Sequence, residues 1–169
     1  MSEGVNAPVE ILNQDEKWNC KNLKFLTDFM EETGLTVATL AESIGLTRQS
    51  IYHWLQIDEV KISLIYKLFE ANGYKITFDY VKDRSQEGIN SYVDMAVERE
   101  PGEKNLSFLA SALKRYKLRR EPLSEKLGIG KTTIYYWLCH DEIFISYIFK
   151  IAEIAGLRVV IRITPIENK

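Results

Sequence analysis

Apolar residues recur along the chain at helical spacing, then switch to alternation. Leu23, Leu26, Phe29 and Met30 form one stripe and predict a first helix. Thr36 is placed to cap a second, with Leu40 and Ile44 buried four apart and Gly45 ending it in the left-handed region. Thr47 precedes a third helix carrying Ile51, Trp54 and Leu55 on one face. Ser63 precedes a fourth with Ile65, Leu68 and Phe69 inward, stopped by Gly73. Tyr74–Tyr80 then alternates with period two and predicts a strand, as does the stretch Leu157–Ile163, rich in β-branched residues.

The pattern occurs twice. Shifting the chain by 83 positions lays Asn22–Tyr80 over Asn105–Ile163 without a gap, and about twenty of the 59 pairs are identical. NLKFL falls on NLSFL, SIYHWL on TIYYWL and DEVKIS on DEIFIS. Such a repeat marks duplication of one folding unit near 60 residues long, at the small end of what folds alone. The expected organisation is an extension at 1–21, a first domain at 22–80, a linker at 81–104, a second domain at 105–164 and a tail at 165–169. Ser91, Tyr92, Met95 and Ala96 suggest a short helix within the linker, and Pro101-Gly102 breaks the chain after it. Pro122 falls in the first turn of the second copy's second helix, where a missing N–H costs little. Arg119, standing where Thr36 stood, cannot cap by accepting a bond.

The order of small, glycine and apolar positions through LAESIGLTRQSIYHWL and LSEKLGIGKTTIYYWL suits two helices crossing closely at a tight turn, with Ala41 and Ser124 as the small residues. On these residues each copy resembles the phage-repressor and Cro-like helix-turn-helix family. The resemblance implies a mainly α fold of two tandem helix-turn-helix domains, each four helices plus a C-terminal β-strand. The terminal strand is similar to the one with which Cro-type proteins dimerise, whereas repressor-branch relatives end in a fifth helix. Carried over by motif position, the base-reading residues are Arg48, Gln49 and His53 in the first copy and Lys131, Thr132 and Tyr136 in the second. Arg or Lys suits guanine O6/N7, and Gln suits adenine N6/N7. Thr47, Ser50 and Thr133 are candidate phosphate donors. Arg120 stands where relatives place a phosphate contact, and Tyr52 and Tyr135 project from an exposed flank towards phosphate or a partner.

Charge complicates this expectation. The chain carries a net charge of −2 with a pI near 5.8, unlike a uniformly basic nucleic-acid binder. The imbalance is local: residues 22–80 hold five bases and eight acids, whereas 105–163 hold ten bases and five acids. The second copy, with Lys114, Arg115, Lys117, Arg119, Arg120 and Lys131, is the better electrostatic footprint. Asp58-Glu59 and Asp141-Glu142 follow the third helix in both copies. They would repel phosphate if they faced it, or would simply terminate the helix and shape the turn.

Other chemistry is poorly represented. Trp54 and Trp137 read as core by their spacing with Ile51 and Ile134. Cys20 and Cys139 lie in no metal-ligand spacing, adjacent Cys139 and His140 point apart, and Gly128–Lys131 is only a fragment of a phosphate-binding loop. No nucleophile triad or metal cluster is legible, so neither an enzyme nor a cofactor is expected. No apolar run approaches the roughly 20 residues of a membrane helix, and the first residues lack a signal-peptide pattern; a cytoplasmic protein is expected.

The sequence therefore predicts a transcriptional regulator binding double-stranded DNA. Strands Tyr74–Tyr80 and Leu157–Ile163 are expected to pair antiparallel in an internal pseudo-dimer, setting the recognition helices about 34 Å apart. A variant arrangement pairs these strands between separate chains as a homodimer. The alternative function is a protein-binding adaptor or antitoxin-like partner that kept the fold.

Overall fold

The structure, a computed structural model, describes residues 20–82 and 102–167. The expected linker helix around Tyr92, Met95 and Ala96 lies outside the described residues, as do residues 1–19 of the extension. Among the described residues the chain is mainly helical, with eight helices and one antiparallel pair of strands. In chain order these are α1 (Lys24–Thr33), α2 (Val37–Ser43), α3 (Arg48–Ile57), α4 (Ile62–Ala71), β1 (Tyr74–Lys82), α5 (Ser107–Arg115), α6 (Arg120–Leu127), α7 (Thr133–His140), α8 (Ile145–Ala155) and β2 (Leu157–Pro165). Each repeat thus folds as four helices and a strand. The chain divides into two compact units, Met1–Val60 and Lys61–Lys169.

In the first unit the caps follow the sequence. Thr36 Oγ1 accepts the Thr39 N–H at 3.2 Å and Thr47 Oγ1 accepts the Ser50 N–H at 3.3 Å. Between α2 and α3 the chain turns at Gly45, whose φ of +72° is easy only without a Cβ. Leu23, Leu26, Phe29, Leu40, Ile51, Trp54 and Leu55 are buried, and Met30 is half-buried.

α1 has no cap of its own, because its N-cap residue is Leu23. Asp58 supplies one from 35 residues downstream: its carboxylate accepts the N–H groups of Asn22 and Leu23, both at 3.0 Å. The Asn22 side-chain amide in turn donates to the Asp58 carbonyl at 3.2 Å. Asp58 itself ends α3 in the left-handed conformation, φ 59°, a region that Asp tolerates better than most residues. The second unit repeats the clip with Asp141, φ 58°, accepting from Asn105 at 2.8 Å and Leu106 at 2.9 Å. A carboxylate at a helix start satisfies orphan amides and suits the positive end of the dipole.

The second unit is organised around its strands. β1 and β2 pair antiparallel as expected, each running two residues past the predicted end, with Tyr74 opposite Pro165, Phe78 opposite Ile161 and Lys82 opposite Leu157. Phe78 and Ile161 are equivalent positions of the two repeats, so the ladder is unchanged when the repeats are exchanged. A separate antiparallel bridge joins Lys61 to Phe144, also an equivalent pair. The polar alternation of β1 does not become alternating burial: Ile76, Phe78 and Tyr80 are buried, and so are Thr77 and Asp79, each 1% exposed. The Asp79 carboxylate accepts the Tyr80 N–H at 2.8 Å, a bond that offsets part of its desolvation. Phe108 of α5 packs on Phe78 and Tyr80, with ring centroids 6.2 and 5.6 Å apart. Each fully buried ring of this kind contributes about 1.5–3 kcal/mol.

Ser63 does not cap α4. The helix begins at Ile62 with Lys61 as its N-cap, and the N–H and hydroxyl of Ser63 both donate to the Glu142 carboxylate. A side chain distant in sequence therefore does what the local serine was expected to do. Pro122 is the third residue of α6, in the first turn, and Arg119 makes no side-chain cap bond there, both as expected.

Removal of either clip should be costly. Asp58→Ala and Asp141→Ala each strand two amides and are expected to lower stability by about 1–3 kcal/mol in urea titrations; a loss within the noise of the titration contradicts the capping role. Tyr80 gives a pH signature. Burial, then the nearby Asp79 charge, raises its phenol well above the ordinary 10.0, and its hydroxyl donates to the Ile148 carbonyl at 2.8 Å. The folded state therefore favours the neutral phenol: its contribution is intact below pH 10.0 and is lost as pH climbs beyond that value. Tyr80→Phe should be less stable at neutral pH, with the difference shrinking in alkaline urea titrations; a constant difference contradicts this.

Candidate nucleic-acid interface

Of the residues expected to read DNA, Arg48, Gln49 and His53 are exposed on α3 and Tyr136 on α7, while Lys131 and Thr132 stand just ahead of α7. On α3, Ile51, Trp54 and Leu55 point into the core; Gln49, His53 and Gln56 are exposed on the opposite side, and Arg48 is exposed at the flank of the first turn. Tyr52 is 41% exposed on the same side. Thr47 and Ser50 stand at the helix start, with their hydroxyl oxygens 3.2 Å apart and hydrogen-bonded to each other. Both hydroxyls are thus engaged at the cap.

The second copy departs from this plan. Gly130 stands where Thr47 stood and has no side-chain oxygen to offer. The chain turns through a bond from the Thr133 N–H to the Gly130 carbonyl at 3.1 Å, and α7 opens only at Thr133 without a side-chain cap. Lys131 and Thr132, expected as the first residues of the third helix, therefore precede it; both are exposed. Thr133 is half-buried. The core side of α7 is also weaker. Ile134 is buried, but Trp137, expected in the core, is only half-buried and packs against Tyr147 at 5.0 Å between ring centroids.

The outer face of α7 is aromatic. Tyr135 and Tyr136 are 51% and 55% exposed, with rings 5.8 Å apart, and Tyr136 lies 6.0 Å from the His140 ring. The Arg120 guanidinium sits 5.9 Å from the Tyr135 centroid, within cation–π range. The neighbouring Cys139 thiol, and to a smaller degree burial, raise the Tyr135 phenol above its ordinary value, against a lowering by Arg120. At physiological pH this hydroxyl stays protonated and able to donate.

An open cleft of about 840 Å³ lies beside these groups, lined by Arg119, Glu121, Pro122, Ser124, Glu125, Ile129 and Lys131. The Ser124 hydroxyl is buried there without a hydrogen-bond partner among the described residues. Lys131 Nζ is 3.6 Å from Glu121, but both side chains are largely exposed, so the pair is weak.

The acids that follow each third helix are engaged internally. Asp58 and Asp141 face backbone amides, and Glu142 holds Ser63. Reading the sequence missed these clips, yet a signal was present: Asn22/Asn105 and Asp58/Asp141 are identical between the repeats although neither pair is hydrophobic.

Among the described residues no group of three His, Cys, Asp or Glu is placed to hold a metal, and no helix is long and apolar enough to cross a membrane. Comparison with family models, curated proteins and solved structures gave no match.

The missing cap at Gly130 is testable. A Cβ there would meet only Thr133 Oγ1, at 3.4 Å. Gly130→Ser should supply the cap that Thr47 provides in the first copy and raise stability by about 0.5–1 kcal/mol, with added helix at Lys131–Thr132 by NMR. Unchanged chemical shifts at these residues contradict the capping argument.

Proposed function

We propose that the chain is a tandem helix-turn-helix protein that binds double-stranded DNA and regulates transcription. One observation carries the reading. At equivalent places in both repeats, a short helix is anchored by its apolar side and turns exposed hydrogen-bonding side chains outward, with an exposed cation at its start in the first copy (Arg48) and just ahead of it in the second (Lys131). Arg48, Gln49 and His53 form the reading row of the first copy; Lys131, Thr132 and Tyr136 form that of the second. Helices of this length fit a major groove, and Arg, Lys and Gln are the side chains best matched to purine edges there.

Two further features support it. The acids nearest each third helix spend their lone pairs on internal N–H groups, which lessens the repulsion they would exert on phosphate. The strand ladder and the Lys61–Phe144 bridge pair equivalent residues of the repeats, the pattern an internal pseudo-dimer requires. The target is then a site with two related but unlike halves.

The exposed aromatics favour a second reading. Tyr52, Tyr135 and Tyr136, with the aliphatic Ile57 at the end of the Tyr52 helix, are all at least 41% exposed, and surfaces of this kind also bind proteins. An electrophoretic shift of random duplex separates the two. A DNA binder shifts the duplex at low salt, loses affinity steeply as salt rises, and is crippled by Arg48→Ala with Lys131→Ala. An adaptor gives no shift at any salt.

A further inference from the structure

Resting on the reading above, we propose that the two copies divide the labour on DNA. The first copy supplies sequence discrimination and the second supplies backbone affinity.

The argument compares equivalent positions. At the start of the second helix the first copy has Thr36 and Val37; the second has Arg119 and Arg120. Thr36 is spent on its cap and Val37 is buried, whereas Arg119 and Arg120 are exposed. Just before or at the start of the third helix stand Arg48 and Lys131. Three exposed cations therefore gather at these positions in the second copy against one in the first. Neither α6 nor α7 has a side-chain cap over its amides, while α2 and α3 both do; α6 carries one acid in its first turn, the exposed Glu121, 3.6 Å from Lys131 Nζ.

Reading capacity runs the other way. The first copy presents Arg48 and Gln49 on a capped, regular helix, and both side chains can make paired hydrogen bonds to a single purine. A firmly held helix fixes where those forks fall. The second copy offers Lys131, a point charge, and Thr132, both on a turn ahead of the helix. Its helical face then carries Tyr135, Tyr136 and Cys139, which contact apolar groups or accept and donate single bonds. The Arg120 guanidinium lies within cation–π range of the Tyr135 ring, which places one cation beside the face of α7.

The test uses the full chain with two duplexes: one of random sequence, and one enriched from random sequence by the wild-type chain. Arg119→Ala/Arg120→Ala should lower the salt slope on both duplexes by about 0.9 per lost phosphate contact and leave the preference for the selected duplex nearly unchanged. Charge-retaining Arg119→Lys/Arg120→Lys should keep the slope. Arg48→Ala/Gln49→Ala should reduce the preference roughly ten- to hundredfold with a slope change of about one or less. Equal effects of the two variant sets, or the reverse pattern, overturn the division of labour. A wild-type chain that binds neither duplex at low salt overturns the DNA-binding reading itself.

Discussion

The pairing of β1 with β2 is the constraint on which the second unit depends. An antiparallel ladder centred on Phe78 and Ile161 sets each repeat's terminal strand against its own equivalent. Such a ladder removes an exposed edge from each strand at once. It buries Ile76, Phe78 and Tyr80 beneath helices, and it brings α4 and β1 into one compact unit with the whole second repeat. Duplication makes this arrangement accessible: a strand that can pair with a copy of itself needs no new partner once a second copy is on the same chain.

The polar contacts add direction to that scaffold. Asp58 and Asp141 each do two things: end a third helix through a left-handed turn and cap the first helix of the same repeat. The end of the outward-facing helix is thereby tied to the start of the helical bundle. Loss of this tie would loosen the very element whose outer face is proposed to meet DNA. Glu142 performs a related task for α4 through Ser63. Acids that look unfavourable for a nucleic-acid binder in the linear sequence are thus structural groups, and the overall charge of −2 understates the positive character of the second copy.

Much of the fold was legible because it is local. Helix stripes, the Thr36 and Thr47 caps, the glycine turns and the two strands all follow from spacing and residue type. The strand pairing was legible because the repeat supplied a reason for it. What escaped was non-local or subtractive. The cap of α4 came from Glu142, some 79 residues away, rather than from Ser63. The buried Thr77 and Asp79 depend on packing that periodicity does not encode. The late start of α7 follows from an absence, since Gly130 lacks the oxygen that Thr47 provides. Trp137 kept its helical position but not its burial, as the second copy's core is thinner around α7. At the candidate site, the outward placement of Arg48, Gln49 and His53 was readable; the displacement of Lys131 and Thr132 off the helix was not.

The central claim is that both repeats present groove-reading helices to one duplex. Hydroxyl-radical footprinting of a bound, selected duplex tests it most directly. The account predicts two protected stretches about one helical turn apart, the stretch opposite the second copy being the more salt-sensitive. A single protected stretch, or uniform cleavage along the duplex, would contradict it.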